Sequence, residues 1–378
     1  MDINNFKLER YFALHEFSAK YLLSSSDCDG YAMDYILSCA DSKEKELWEK
    51  LTLGYTESTG HPLLKEAILK HYDESLTPEN VLVGSPGELA FILMNVLLGV
   101  GDHAIVVSPS YQSLYEVARS LGTDLSFWTP TIEDNEWRFS VEDLKNLIKP
   151  STKLIVINFP HNPTGATLSE SELQEIVSMA REKDIYIYSD EMYRNLNLIP
   201  DVRVSASVSA IADIYEKGIS LWGMAKSFAL AGLRIGWFVS QDVALLEKIA
   251  SFKDYLSICS SAPSEVLAII GLNHSENFIA PNIHKIKSNI AAFEKYFYSG
   301  QNLFKALIPP KAGSVAFLPI SCEENTSLEF SNNLVKDQGI MTIPAEMFDY
   351  DGKYLRIGFG RENFPEILKL LTMTLNIY

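Results

Sequence analysis

The sequence predicts an α/β fold: a mostly parallel sheet between helices, followed by a smaller α+β domain. Three observations carry this. Between about residues 80 and 240, short β-branched runs alternate with amphipathic helical stretches, the order that builds parallel strands joined by crossovers. The runs read as buried strands, which requires helices on both faces of the sheet. Beyond about residue 275 the alternation gives way to one long amphipathic helix, two strands and a final helix.

The predicted strands are Val81–Val83, Ala104–Ser108, Leu154–Asn158, Ile185–Ser189, Ile219–Trp222 and Ile235–Ser240, with helices such as Tyr111–Leu121 and Leu173–Glu182 between them. Ser169-Glu-Ser-Glu172 is a capping-box pattern and starts the second of these helices after an N-P-T-G turn. Ile283, Ile286, Ile290, Phe293 and Phe297 mark one face of the long C-terminal helix. Strands follow near Ser314–Leu318 and Tyr354–Phe359, and the last helix begins after Phe364. There is no internal repeat and no low-complexity linker.

Composition excludes several function classes. The chain has 378 residues, 47% apolar and 21% charged, with a formal net charge of −17. Phosphate backbones are bound by basic faces, so this charge argues against nucleic acid; an acidic surface aids solubility and mildly favours cationic substrates. Cys28, Cys39, Cys259 and Cys322 are scattered, with no C-x-x-C pair and no histidine at ligand spacing, as reduced thiols are. No metal site and no disulfide are expected. M-D-I-N-N-F-K-L-E-R has no basic segment followed by an apolar one, so no signal peptide is expected. The most apolar helical run, Leu89 to Val100, is interrupted by Asn95 and falls short of the ~20 residues that span a bilayer. A soluble cytoplasmic protein is expected.

The chemistry is concentrated around Lys226. Asn162 stands in N-F-P-H-N-P-T-G (158–165), Asp190 and Tyr193 in Y-S-D-E-M-Y (188–193), and Arg234 in G-M-A-K-S-F-A-L-A-G-L-R-I-G (223–236). An amine, a carboxylate, a phenol, an amide and a guanidinium at the ends of predicted strands are the groups that hold and activate pyridoxal 5′-phosphate. In this order and spacing, from about Leu51 to the end, the chain resembles the fold-type I pyridoxal-phosphate enzymes of the class I/II aminotransferase family.

The resemblance implies a role for each residue. Lys226 is the Schiff-base lysine and the general base that moves the substrate α-proton. A solitary lysine is ordinarily a solvated charge, but this one follows a buried strand. Asp190 is the carboxylate that keeps the pyridine nitrogen protonated; its bland alternative is a strand-end cap. Tyr193 and Asn162 hydrogen-bond the ring's phenolic oxygen and tune the pKa of the lysine–cofactor link. Tyr111, in S-P-S-Y-Q, stacks on the pyridine face. Gly84-Ser-Pro-Gly-Glu88 is the phosphate loop at a helix N-terminus, and Arg234 is the phosphate guanidinium.

Two departures from the family pattern concern the phosphate. Pro86 has no N–H, which leaves Ser85, Gly87 and Glu88 as the donors. Where the family commonly has a hydroxyl one or three residues before the lysine, this chain has Ala225 and Gly223; either a somewhat weaker phosphate affinity or compensation by Ser227 or Ser220 is expected.

Arg356, in Y-L-R-I-G-F-G-R, matches the arginine that grips the substrate α-carboxylate, beside Asn162, with Arg361 as the fallback. Tyr55, in G-Y-T-E-S-T-G, matches the tyrosine that reaches the phosphate in the neighbouring subunit, which implies a homodimer with shared active sites. The implied division is an N-terminal segment, 1–45, joining the small domain, a large cofactor domain, 46–275, and a small domain, 276–378.

Substrate readers in this family come from the N-terminal segment, here Leu23-Ser-Ser-Ser-Asp-Cys-Asp29. The S-S-S-D-C string resembles a subgroup that includes capreomycidine-synthase-like proteins, which act on arginine-type substrates. Asp27 and Asp29 suit a guanidinium or amine, although a solvated turn is the favoured reading. The expected function is amino transfer from an L-amino acid to a 2-oxo acid by a ping-pong route. The alternative is elimination, replacement or cyclisation on an arginine-like amino acid, with nearly the same site residues. A cofactor-binding regulator lacks support because no basic helical module precedes the family body. A nicotinamide enzyme is weaker still, since Gly99-Val-Gly-Asp-His-Ala104 precedes a strand instead of linking strand to helix. H-E-x-x-H, Walker A and G-x-S-x-G strings are absent.

Overall fold

A computed structural model describes residues 2–198, 209–300 and 303–375. The β-branched runs form a seven-stranded sheet in the order Val81–Gly84, Gly236–Ser240, Gly218–Gly223, Tyr186–Asp190, Thr152–Asn158, His103–Val107, Asp124–Trp128. Successive side chains point to opposite faces. Thus Ile105, Val107, Ile155, Ile157 and Ile187 enter one core cluster, while Ala104, Val106, Leu154, Val156 and Tyr188 enter another. Strands buried on both faces have no polar side to show, hence the unbroken apolar runs.

Five strands run parallel, from Gly218–Gly223 across to Asp124–Trp128. Gly236–Ser240 is antiparallel to both its neighbours. Its connection, 224–235, carries only a short 3-10 turn at Ala231–Leu233, and a parallel return needs a longer crossover, usually a helix. The edge strand Asp124–Trp128 is largely exposed or half-buried, and it has neither an apolar run nor a clean alternation to announce it.

The helix Glu170–Glu182 begins at the expected cap: the Ser169 hydroxyl accepts from Glu172 N–H, and Glu172 reaches back to Ser169 N–H at 2.6 Å. The predicted helix Tyr111–Leu121 is corrected. It is a 3-10 turn, Gln112–Leu114, and a short helix, Glu116–Ser120, separated by Tyr115 at φ −135°. The break follows from what these residues hold. Buried Gln112 bonds Lys7 N–H and Asn5 O, and the Tyr115 hydroxyl donates to Asp349 at 2.6 Å.

The long helix is Glu276–Tyr298, with Ile286 and Phe293 fully buried. It leads to a three-stranded antiparallel sheet whose central strand, Tyr354–Gly358, lies between Val315–Pro319 and Ile343–Pro344. The first thirty residues return to this sheet. Tyr21–Leu22 pairs in parallel with Ile340–Met341, and Leu8, Tyr11, Leu23 and Cys28 are buried in one cluster with Phe317, Leu355 and Ile357. Gly358 permits the crossing, because a Cβ there would sit 1.8 Å from the Ser25 carbonyl oxygen. Met33–Cys39 and Ser42–Glu49 pack instead against the helix Ala262–Asn273. Among the described residues, no helix is long and apolar enough to cross a membrane, and no group of three or more His, Cys, Asp or Glu side chains is placed to hold a metal ion.

Candidate active site

A cavity of about 510 Å³ opens where the C-terminal ends of the parallel strands meet the three-stranded sheet and the first thirty residues. Ligand sites in open α/β sheets lie outside these strand ends. Lys226, Asp190, Tyr193, Asn162, Tyr111, Gly87, Arg234 and Arg356 all line it. Residues from positions 87 to 356 are thereby gathered around one space.

Asp190 and Asn158 oppose each other on the last rung between Tyr186–Asp190 and Thr152–Asn158. The Asn158 side chain donates to Asp190 O at 2.8 Å and accepts from Asn162 N–H at 2.9 Å, so a single amide places both candidate cofactor contacts. Asn158 was legible as the strand's last residue, but its sequence gave no sign of this task. Burial pushes the Asp190 carboxyl up to about 7; the Met192 N–H, at 3.1 Å from Oδ1, and the charge of Lys226 oppose the rise, while Glu191 adds to it. A buried acid held by one backbone donor is suited to a cationic partner.

Lys226 sits in the turn after Gly218–Gly223, and its Nζ donates to Ser26 Oγ at 2.8 Å. The Ser26 carbonyl accepts from the Tyr193 hydroxyl at 3.2 Å and from Ser314 Oγ at 2.7 Å. Ser26 therefore joins the amine and the phenol across 200 residues of chain. Tyr111 lies beside Phe6, ring centroids 4.7 Å apart, and its hydroxyl donates to Glu9; burial and that carboxylate push the phenol far up.

At the opposite end, the helix Pro86–Leu97 points its N-terminus at the cavity. Pro86 occupies the first helical position, where no N–H is needed. A Cβ on Gly87 would meet nothing within 4 Å, so its backbone is open to a ligand. Arg234 is at φ +57°, and among the described residues its guanidinium bonds only the Ala231 carbonyl, at 3.3 Å. Pro86 and Gly223 prove to be one feature. A Cβ on Gly223 would lie 2.8 Å from Ile235 O and 3.5 Å from the Pro86 ring, so no hydroxyl-bearing residue fits there. The expected compensation is corrected as well. The Ser220 hydroxyl donates to Glu191 and accepts from Ala212 N–H, and the Ser227 hydroxyl donates to the Arg194 carbonyl, so both are engaged away from the cavity. Ser113, which the sequence did not single out, does line it.

Arg356 is 1% exposed on the central strand of the small sheet. Its Nη1 donates to Asn162 Oδ1 at 3.1 Å and its Nη2 to Ser24 O at 2.9 Å, while Nε has no partner among the described residues. Among the described residues no carboxylate pairs with it, and burial lowers its pKa. A buried, unpaired guanidinium invites an anion. Arg361, by contrast, is bound to Asp27 and Asp29 and lies outside the lining. Those two aspartates are not a solvated turn: Asp27 lines the cavity, and Asp29 also pairs with Lys285 at 2.9 Å. From the helix Lys7–His15 and its end, Glu9, Phe12 and Glu16 complete the wall, and the sequence did not foretell them.

Three of the expected cofactor residues are outside this lining. Ser85 is not in the lining, and the Glu88 carboxylate accepts from Ser257 N–H and Oγ. Tyr55 is 89% exposed and does not reach its own cavity. The donor set fits pyridoxal phosphate: an amine, a buried carboxylate, and a helix N-terminus with a guanidinium for the phosphate.

The family model described as aminotransferase class I and II matches residues 18–368. The chain is 28% identical over 323 residues to aromatic-amino-acid aminotransferase 2 of Thermococcus litoralis, covering 84% of this chain and 82% of that protein. It is 24% identical over 358 residues to capreomycidine synthase of Streptomyces vinaceus, covering 93% and 88%. Among solved structures, a PLP-dependent aminotransferase from Streptococcus suis superposes with a TM-score of 0.90 at 28% identity, covering 100% of this chain and 99% of that one.

Proposed function

The chain belongs to the aminotransferase class I and II family, and from that premise we propose which residues perform each part of the amino transfer. The protein is a pyridoxal-phosphate-dependent aminotransferase that moves an amino group from an L-amino acid to a 2-oxo acid. When bound, the cofactor supplies an electron sink for the charge formed at the substrate Cα.

Lys226 anchors the cofactor and, once displaced by substrate, would take the proton from the substrate Cα and deliver it to the cofactor carbon that held the lysine, the reverse transfer serving the second substrate. Ser26 Oγ, 2.8 Å away, keeps the amine aimed into the cavity. Asp190 supports a protonated ring nitrogen, and Tyr193 and Asn162 hydrogen-bond the ring oxygen. Tyr111 covers one ring face. Gly87, at the N-terminus of the helix Pro86–Leu97, offers its backbone N–H to the phosphate, which Arg234 neutralises. Arg356 takes the α-carboxylate in its planar fork, with Asn162 holding the guanidinium in place. One buried fork serves both substrates, so the first product leaves before the second substrate binds, which is the ping-pong order.

The observation that carries this reading is that Lys226, Asp190 and the unpaired guanidinium of Arg356 share one cavity. The test is a single-turnover incubation of the holoenzyme with individual amino acids and no 2-oxo acid. One equivalent of the matching 2-oxo acid per site is expected; ammonia or a rearranged amino acid in its place overturns amino transfer. Arg356→Lys is expected to raise KM about tenfold or more with a smaller loss in kcat, because a point charge cannot reproduce two parallel N–H bonds. An unchanged KM removes Arg356 from substrate binding.

One observation favours the second reading, elimination, replacement or cyclisation on an arginine-like amino acid. Glu9, Glu16 and Asp27 bring carboxylates to the cavity, and Glu16 is pushed up by burial and by the other two. Arginine belongs in the same incubation, where a cyclised product supports this alternative. The homodimer rests on Tyr55, whose exposed phenol is free to serve a neighbouring subunit. Four unbridged thiols support a cytoplasmic location.

A further inference from the structure

Two fully buried charges stand outside the cavity, and the mechanism above uses neither. Lys253, 1% exposed, ends the helix Val243–Lys253. Its Nζ donates to the carbonyls of Ser58, at 3.0 Å, and Ile258, at 2.7 Å. Glu265, also 1% exposed, lies on the helix Ala262–Asn273. Its Oε2 accepts from Thr56 Oγ1 and from His61 N–H, both at 3.0 Å. The two side chains thus both grip the segment 56–61, directly after Tyr55.

The same lysine touches the phosphate loop. A Cβ on Gly84, the first residue of that loop, would lie 3.3 Å from Lys253 Cε, so the lysine stem packs against its backbone. Glu88, in the first turn of the phosphate-binding helix, accepts from Ser257 N–H and Oγ, in the turn that Lys253 closes. That turn is strained: Ile258, a β-branched residue, is held at φ +64° and is 47% exposed. Burying ions is costly, and apolar packing would hold a loop of purely structural role without that desolvation penalty. What the two charges hold is an arm with no task in its own cavity. Tyr55 is 89% exposed, and Leu53 and Tyr255 beside these segments are 86% and 90% exposed.

We propose that Lys253, with Glu265, is a positioning residue for cofactor binding across the dimer: it locks the arm carrying Tyr55 to the phosphate loop of its own subunit, so the arm arrives at the neighbouring site in a fixed geometry. The proposal rests on the reading that Tyr55 serves the neighbouring subunit's cofactor phosphate.

The test is a double-mutant cycle on the holoenzyme, read as the cofactor dissociation constant, with sedimentation verifying the dimer at the working concentration. Tyr55→Phe removes only the phenol, and Lys253→Met keeps the stem against Gly84 while removing the ammonium. Each alone is expected to weaken cofactor binding by about tenfold, the scale of a lost supporting contact. The double variant is expected to be no weaker than the worse single one, because both changes disable the same contact. Multiplying effects overturn the proposal, since Lys253 then acts independently of Tyr55. If Tyr55→Phe weakens binding and Lys253→Met does not, the positioning role alone fails. If Tyr55→Phe leaves the constant unchanged, the reading of Tyr55 falls and the proposal with it. Should Lys253→Met fail to fold, Glu265→Leu releases the arm's other tether and is measured in the same cycle, with the same outcomes deciding.

Discussion

Replacing Lys226 with alanine is expected to lower turnover roughly 10⁴-fold or more and to leave the protein without covalently held cofactor. The amine has two tasks in one place: it anchors the cofactor, and it moves the proton on the substrate Cα. No neighbour can take these over. Ser26 and Tyr193, its companions at the cavity wall, are weaker bases and are committed to each other's segments through the Ser26 carbonyl. The expected effect on stability is small, within roughly 1 kcal/mol. Lys226 is only half-buried, and its hydrogen bond ends on a hydroxyl that also lines the cavity. Mass spectrometry after borohydride treatment distinguishes the cases. Wild-type protein should carry the reduced cofactor on the peptide containing Lys226, and the variant should carry none. A variant that keeps the adduct shows that another amine holds the cofactor, and the whole assignment then collapses.

The core of the fold and the inner wall of the site were legible because both are written locally. A strand buried on two faces must be apolar along its length, and the residues at and just beyond its end face the ligand, so Asp190 and Lys226 could be placed at strand ends, while the resemblance to the family supplied their roles. Strand direction is not written that way. Gly236–Ser240 is as fully buried as the strand before it and runs antiparallel because its connection is too short for a crossover. The helix expected at Tyr111–Leu121 failed for a related reason. Its periodicity was right, but Gln112 and Tyr115 are claimed by partners more than a hundred residues away, at Lys7 and Asp349. The outer wall of the cavity was the least legible. Ser26, Glu9 and Phe12 reach the site only through the return of the first thirty residues across Gly358, and no spacing announces a contact between positions 26 and 226. Arg356 was found by its motif, yet what makes it remarkable chemically, a buried guanidinium with Nε unpartnered, belongs to the folded chain alone.

Asp190→Asn is expected to cut turnover by roughly 10²- to 10³-fold and, at the same time, to stabilise the cofactor-free protein above neutral pH. The two effects share one cause. Burial raises the carboxyl from its ordinary 3.8 to about 7, so the cofactor-free fold favours the neutral acid. Below about pH 4 both folded and unfolded chains hold the proton, and the group has no effect on stability. As the pH rises from there the unfolded chain loses its proton first, and the fold loses stability until the folded group ionises near pH 7. At about 1.4 kcal/mol per pKa unit, the bound on this loss is about 4 kcal/mol. Asparagine does not ionise, so the variant's advantage should be greatest above pH 7 and shrink towards zero as the pH falls to 4. Thermal melts of the two cofactor-free proteins across pH 4 to 8 measure it directly. Were Asp190 only a strand-end cap, its Oδ1 on Met192 N–H would be reproduced by the asparagine oxygen and turnover would survive the change, while the stability difference, which comes from burial, would remain. A carboxylate that costs the empty fold stability and whose loss costs the loaded enzyme its rate is one kept for the charge that the cofactor brings to it.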